Sequence, residues 1–165
     1  AIEVSSDYTQ VVNDETKMPG ANWFDGVQFN FAENLLRIRS DKPAIHFKGE
    51  GRSVRTLSYN ELFKSVEKIA SALRKMGVQK GDRVAGFMPN MPETIIAMLA
   101  TTSIGAIWAS SSPDFGIKGI LDRFVQIEPK VLFAADGYFY NGKRFDSVEK
   151  LNSILEASTV YTFCN

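Results

Sequence analysis

The sequence predicts an α/β fold built on a parallel sheet. Three observations carry that expectation. Short apolar runs recur at RVAGFM (83–88), AIWAS (106–110) and VLFAA (131–135), each of a length that suits a strand buried on both faces. Between them lie stretches with helical spacing and helix stop signals. The connections are short, so the order strand, helix, strand, helix, strand implies right-handed crossovers between parallel neighbours. The expected class is therefore α/β, a parallel βαβαβ unit preceded by an N-terminal segment and accompanied by hairpins.

Taken from the beginning, residues 1–20 are polar with an MPG break at 18–20. ANWFDGVQFNFAENLL (21–36) is aromatic-rich and irregular, and the apolar area of Trp23, Phe24, Phe29 and Phe31 predicts that it wraps on a core. AIHFK (44–48) and SVRTL (53–57) alternate around GEG (49–51), which reads as a hairpin. Tyr59, Leu62, Phe63, Val66, Ile69, Ala70, Leu73 and Met76 recur three and four apart and form one helical face. Ser58 with Glu61 makes a capping box, and Gly77 supplies the left-handed residue that ends the helix.

After the first buried strand, Asn90 is expected to cap a second helix with Pro92 in its first turn, where a missing N–H costs little. Its body, ETIIAMLATTSI, is apolar nearly all round and should be buried; Gly105 ends it. Asp114 is expected to cap a third helix with the face Ile117, Ile120, Leu121, Phe124 and Val125, stopped by Pro129. YFYNGKRF (138–145) alternates around Asn141-Gly142, a hairpin signal. A last amphipathic helix carries Val148, Leu151, Ile154 and Leu155. There is no internal repeat and no low-complexity tract.

Bulk properties narrow the function classes. A length of 165 residues fits one domain or part of a larger one, and a compact domain of that size buries about 70% of its unfolded surface. Nineteen basic and nineteen acidic residues cancel, so the broad electrostatic footprint of a nucleic-acid or anionic-membrane partner is missing. One cysteine, Cys164, forms neither an internal disulfide nor a cysteine zinc site, which suits a reducing compartment. One histidine, His46, leaves little material for His-based metal sites or triads. No apolar run reaches membrane-spanning length and no leader pattern opens the chain, so a cytoplasmic location is expected. The chain begins at Ala1 and stops just after the strand-like run TVYTF has begun. The expectation is a fragment of a longer chain, marginal or aggregation-prone in isolation because its sheet lacks partners.

The phosphate-loop patterns G-x-x-x-x-G-K-[ST] and G-x-G-x-x-G are absent. The triple serine 110–112 lacks the G-x-S-x-G elbow, and His46 is far away in sequence. Those serines read either as a small-residue loop before a helix cap or as a ligand contact. The loop follows the carboxyl end of a strand, which is where ligands bind in open parallel sheets. Lys143 and Arg144 follow the Asn141-Gly142 turn and read either as a solvated tip or as a phosphate contact. Asp82 and Arg83 read either as a functional ion pair or, in the reading the pattern favours, as a loop-to-strand junction. Pattern alone reaches a ligand-competent sheet edge and names no reaction.

Four stretches, in order and at the right spacing, resemble the adenylate-forming acyl-CoA synthetases: TLSYNEL (56–62), ALRKMGVQKGDRVAGFMPNMPE (72–93), AMLATTSIGAIWASSSP (97–113) and PKVLF (129–133). WFDGVQFNFAENLL (23–36) is similar to the opening segment of the acetyl-CoA synthetase branch, with Phe29 where leucine is usual. Within that branch, IGAIWASSSPDFGIKGILDRFVQIEPK (104–130) most resembles the members that activate acetoacetate. The resemblance implies an opening segment over 1–36 and, over 37–165, the first part of the large adenylate-forming (AMP-binding) domain.

It also implies a chemistry. A carboxylate attacks the α-phosphate of ATP, with Mg²⁺ offsetting the charge repulsion, and coenzyme A thiol then attacks the acyl-adenylate. The implied small-molecule partners are acetoacetate, ATP and coenzyme A, the implied macromolecular partner is the remainder of the ligase chain, and the implied setting is fatty-acid and ketone-body metabolism. The family's P-K phosphate loop, Y-G-x-T-E motif, ribose-binding aspartate and C-terminal lysine have no counterpart in these residues. No catalytic or metal-ligating residue is therefore expected within the chain, and the 165 residues alone are expected not to adenylate. Position by position, the resemblance places coenzyme A near Ser112, Pro113 and Asp114, and near Tyr140 and Lys143, with Arg144 able to compensate where Tyr140 replaces an arginine. The competing expectations are a ligase of the same branch for acetate or propionate, and a truncated, non-catalytic binding or regulatory module.

Overall fold

The structure, a computed structural model, describes residues 2–156 and 161–164. In chain order the elements are β1 (Gln10–Val12), β2 (Trp23–Asp25), α1 (Phe31–Leu36), β3 (Pro43–Phe47), β4 (Arg55–Ser58), α2 (Tyr59–Lys75), β5 (Arg83–Phe87), α3 (Pro92–Ser103), β6 (Ile107–Ser111), α4 (Ile117–Ile127), β7 (Val131–Ala134), β8 (Gly137–Tyr140), β9 (Lys143–Asp146), α5 (Val148–Glu156) and β10 (Tyr161–Cys164).

Four strands form one sheet in the order β10-β7-β5-β6, and every pairing in it is parallel. The chain runs from β5 through α3 to β6 on one side, then through α4 to β7 on the other side of β5. That reversal of direction is a topological switch point, and the crevice beyond the carboxyl ends of such strands is where ligands bind. The terminal strand, expected to have no partner following it, pairs with the preceding β7, with Tyr161 opposite Val131. Thr159 and Val160 of the expected run lie outside the described residues.

Both faces of the sheet are covered, which explains why its strands read as continuous apolar runs. Val84, Val131 and Phe133 join the core shared with α2 and α3. Their sequence neighbours Ala85, Leu132 and Ala134 point the other way, into the core shared with α4 and α5. Trp108 fixes the first face. Its indole crosses Gly86, where an added Cβ would lie 2.6 Å from the ring, and reaches Phe133 at a centroid distance of 6.1 Å. Any side chain at Gly86 would displace the tryptophan.

Most expected elements form. Ser58 and Glu61 complete the capping box of α2, and Gly77 follows at φ 77°. The hairpins β3–β4 and β8–β9 both form. The buried face of α4 includes Ile120 and Phe124; the side chain of Val125 lies outside the described residues. Asp82 and Arg83 serve the junction as expected, since Asp82 pairs with Lys130 at 3.0 Å and Arg83 Nε donates to the Ile127 carbonyl at 2.7 Å.

Three expectations are corrected. Asn90 does not cap α3; the extended Met91 does, without a side-chain bond. A residue before proline is driven extended, so Met91 is the last non-helical residue ahead of Pro92. Nor does Asp114 cap α4. Gly116 holds that position, and the Asp114 carboxylate is taken by Ser112 and Tyr138 instead. Finally, the aromatic segment does not bury its rings. Trp23 is 58% and Phe29 51% exposed, while the small Ala32 and Leu36 make the core contact. A polar tether holds the segment in place: Asn30 caps α1 through its oxygen and donates its Nδ2 to the Ser103 carbonyl at 2.9 Å.

Candidate functional site

The carboxyl ends of β5, β6 and β7 open into a cleft of about 620 Å³, within the range of small-molecule sites. Its floor is made by the loops that leave the sheet: Pro89, Asn90 and Met91 after β5, Ser112, Pro113 and Asp114 after β6, and Ala135 and Asp136 after β7. Its walls are the two hairpins. The turn of β3–β4 brings Phe47, Lys48, Glu50 and Arg52, and β8 brings Tyr138, Phe139 and Tyr140. Rings and cations thus stand together with carboxylates, a lining able to take a flat heteroaromatic ring and a charged phosphate tail.

The loop after β6 is organised from several directions. Ser111 is buried, and its Oγ accepts from Arg123 Nη1 at 3.4 Å. Ser112 Oγ donates to Asp114 Oδ2 at 3.0 Å. Lys150 of α5 donates to the carbonyl of Pro113 at 2.8 Å, and the Arg123 guanidinium lies 4.3 Å from the Phe115 ring centroid. The serines therefore shape the loop. His46 is exposed on β3, its Nδ1 3.0 Å from the Thr56 hydroxyl oxygen.

Asp114 also couples the loop to the hairpin wall. The Tyr138 hydroxyl donates to its carboxylate, and this bond, with a smaller contribution from burial and from the charge of Asp114, pushes the phenol from its ordinary 10.0 up to about 12. The wall is held at its other end by Glu50, whose carboxylate accepts from the backbone N–H groups of Asn141 and Gly142 at 3.0 and 2.8 Å.

Of the residues singled out in the sequence, Ser112, Pro113, Asp114 and Tyr140 come together in the lining of this cleft. Lys143 and Arg144 lie beside it on the exposed strand β9, outside the lining, and Arg144 Nη2 is 3.9 Å from Asp136 Oδ2. Sequence reasoning missed the contribution of the β3–β4 turn, since nothing local in GEGR shows that it faces a segment some ninety residues later. Asn90 and Met91 were within reach, because the sheet-edge rule that marks Ser112 applies equally to the loop after β5. Among the described residues no group of three or more His, Cys, Asp or Glu side chains could hold a metal ion, and no helix is long and apolar enough to cross a membrane.

Comparison with known proteins places this architecture. The chain is 49% identical over 144 residues to acetoacetyl-coenzyme A synthetase of Rhizobium meliloti (strain 1021), covering 87% of this chain and 22% of that protein. It is 48% identical over 136 residues to acetoacetyl-CoA synthetase of Rattus norvegicus, covering 81% of this chain and 20% of that protein. Among solved structures, acetoacetyl-CoA synthetase from Streptomyces lividans superposes with a TM-score of 0.91 at 39% identity, over 98% of this chain and 26% of that one. The chain thus spans about a fifth of the length of the curated relatives it matches. Residues 31–163 match the family model described as AMP-binding enzyme, so the fold and the cleft described above belong to a chain that is a member of the AMP-binding enzyme family.

Proposed function

We propose that this chain forms the opening part of the adenylate-forming domain of an acid–thiol ligase that makes acetoacetyl-CoA. In that reaction the acetoacetate carboxylate attacks the α-phosphate of ATP and expels pyrophosphate. The coenzyme A thiol then attacks the acyl carbonyl and expels AMP. The observation that carries the reading is the stretch 104–130, in which the W-A-S-S-S-P-D-F-G loop sits, together with the 49% identity to a relative named for this activity. Fatty-acid and ketone-body metabolism in the cytoplasm is the setting that goes with it.

On this reading the chain's own contribution is to bind and orient. Ser112, Pro113, Asp114 and Tyr140 border the passage of coenzyme A through the cleft, and Lys143, helped by Arg144, meets a phosphate of its nucleotide end. A hairpin cation suits this use because a charge-assisted bond to phosphate needs no deep burial. Mg²⁺ would accompany the triphosphate and offset its charge.

The test is made on the full-length ligase that carries this segment. Acetoacetate should support pyrophosphate release with a kcat/KM well above acetate or propionate, and a preference for either of those acids would overturn the substrate assignment. Charge reversal by Lys143→Glu should raise the KM for coenzyme A roughly tenfold while acetoacetate-dependent ATP–pyrophosphate exchange stays near its starting rate. An equal loss of both would remove Lys143 from the coenzyme A site.

A further inference from the structure

Glu50 sits exposed in the turn between β3 and β4, at the edge of the cleft. Its two oxygens each accept one backbone N–H from the other hairpin, Oε1 from Asn141 at 3.0 Å and Oε2 from Gly142 at 2.8 Å. Asn141 and Gly142 are the central residues of the β8–β9 turn, and both have positive φ, 51° and 73°. Successive amides in such a turn aim their N–H groups into one concavity, which favours an anion. In this protein the anion filling it is a side chain from 91 residues earlier. A second contact runs parallel to it, with the Arg52 guanidinium 5.8 Å from the Phe139 ring centroid. The two hairpins that wall the cleft are therefore joined at their tips.

We propose that Glu50 is a positioning residue for coenzyme A, latching the β8–β9 turn to the β3–β4 turn and so fixing where Tyr140 and Lys143 stand at the mouth of the cleft. The proposal rests on the reading that this hairpin meets the nucleotide end of coenzyme A. Charge and position give opposite signs for Glu50. An anion on the rim repels a phosphate, so if charge alone mattered, neutralising it would tighten coenzyme A binding. If the latch matters, neutralising it frees the hairpin and weakens binding.

Glu50→Gln, Glu50→Ala and Glu50→Asp in the full-length ligase separate the two. Measured together are the KM for coenzyme A, ATP–pyrophosphate exchange, and hydrogen-exchange protection of the Asn141 and Gly142 amides. Glu50→Ala should lose the protection and raise the KM for coenzyme A about tenfold, the equivalent of one lost charge-assisted contact. Glu50→Gln should show a smaller rise. Glu50→Asp, with the charge kept but one methylene too short, should also rise. Exchange should be unchanged in all three. A lower KM in Glu50→Gln overturns the proposal, as does retained protection in Glu50→Ala, or lost protection with an unchanged KM. Lys143→Glu run in parallel tells the failures apart. If it raises the KM for coenzyme A when the Glu50 variants do not, only the latch falls; if neither does, the coenzyme A reading of the hairpin falls with it.

Discussion

The two ends of the four-stranded sheet are built from the same strands and treated in opposite ways. At the amino end the loops are clasped. Arg83 donates to the carbonyls of Ile127 and Glu128, closing the last turn of α4 onto β5. Lys130 donates to the Gly77 carbonyl at 2.5 Å and to Asp82 Oδ2 at 3.0 Å. The Asp82 carboxylate also accepts the N–H of Gln79, and these bonds hold its pKa below the ordinary carboxylate value. At the carboxyl end Arg123 of α4 and Lys150 of α5 tie down the loop after β6, yet the loops and the bordering hairpins leave a cleft open between them. Orphan carbonyls at a helix C-terminus attract cations. At the amino end Arg83 takes the last carbonyls of α4 and closes that end. At the carboxyl end Lys150 takes single loop carbonyls, and the rings, cations and carboxylates of the lining remain for a ligand.

Three measurements break or sharpen this contrast. The largest effect comes from the strand both ends share. Phe87, fully buried on β5 beneath α4 and α5, should cost about 3–5 kcal/mol on Phe87→Ala, read by urea denaturation, because it leaves a cavity on the covered face. A cost under 1 kcal/mol would show that the sheet is not the common frame. Next, Arg83→Leu removes the clasp at the amino end and leaves helix carbonyls without their charged donor. A loss of about 1–3 kcal/mol is expected, with the coenzyme A kinetics proposed for the full-length ligase unaffected. A selective change in those kinetics would mean that the two ends are coupled.

The smallest effect is a titration. Tyr138 should ionise near pH 12 in an ultraviolet titration, and Asp114→Asn should bring it back toward 10.0. The sign follows from the raised folded value. The stability held by the neutral phenol is fully present below pH 10 and is lost as the pH climbs through about 12. An unchanged midpoint in Asp114→Asn would detach the loop after β6 from the hairpin wall.

The amino acid sequence by itself determined the elements and their partners along the chain. Ser58 with Glu61, Gly77 and Asn141-Gly142 act on residues a few positions away, and continuous apolar runs leave a strand no face to expose. The same locality explains the misplaced caps, since Asn90 and Asp114 are good capping residues in isolation. Proline geometry at Met91 and the distant hydroxyl of Tyr138 decided otherwise. Likewise, the floor of the cleft was legible at Ser112, Pro113 and Asp114, because strand order dictates which loops share an edge. Only the tertiary structure decided the rest: which rings of 21–36 stay in solvent, that Tyr140 faces the cleft while Lys143 and Arg144 stand beside it, and that Glu50 reaches across to Asn141 and Gly142. The physical reason is separation. A hydrogen bond spanning 91 residues is made by the packing of two hairpins on one sheet edge, and no window of sequence contains both of its ends.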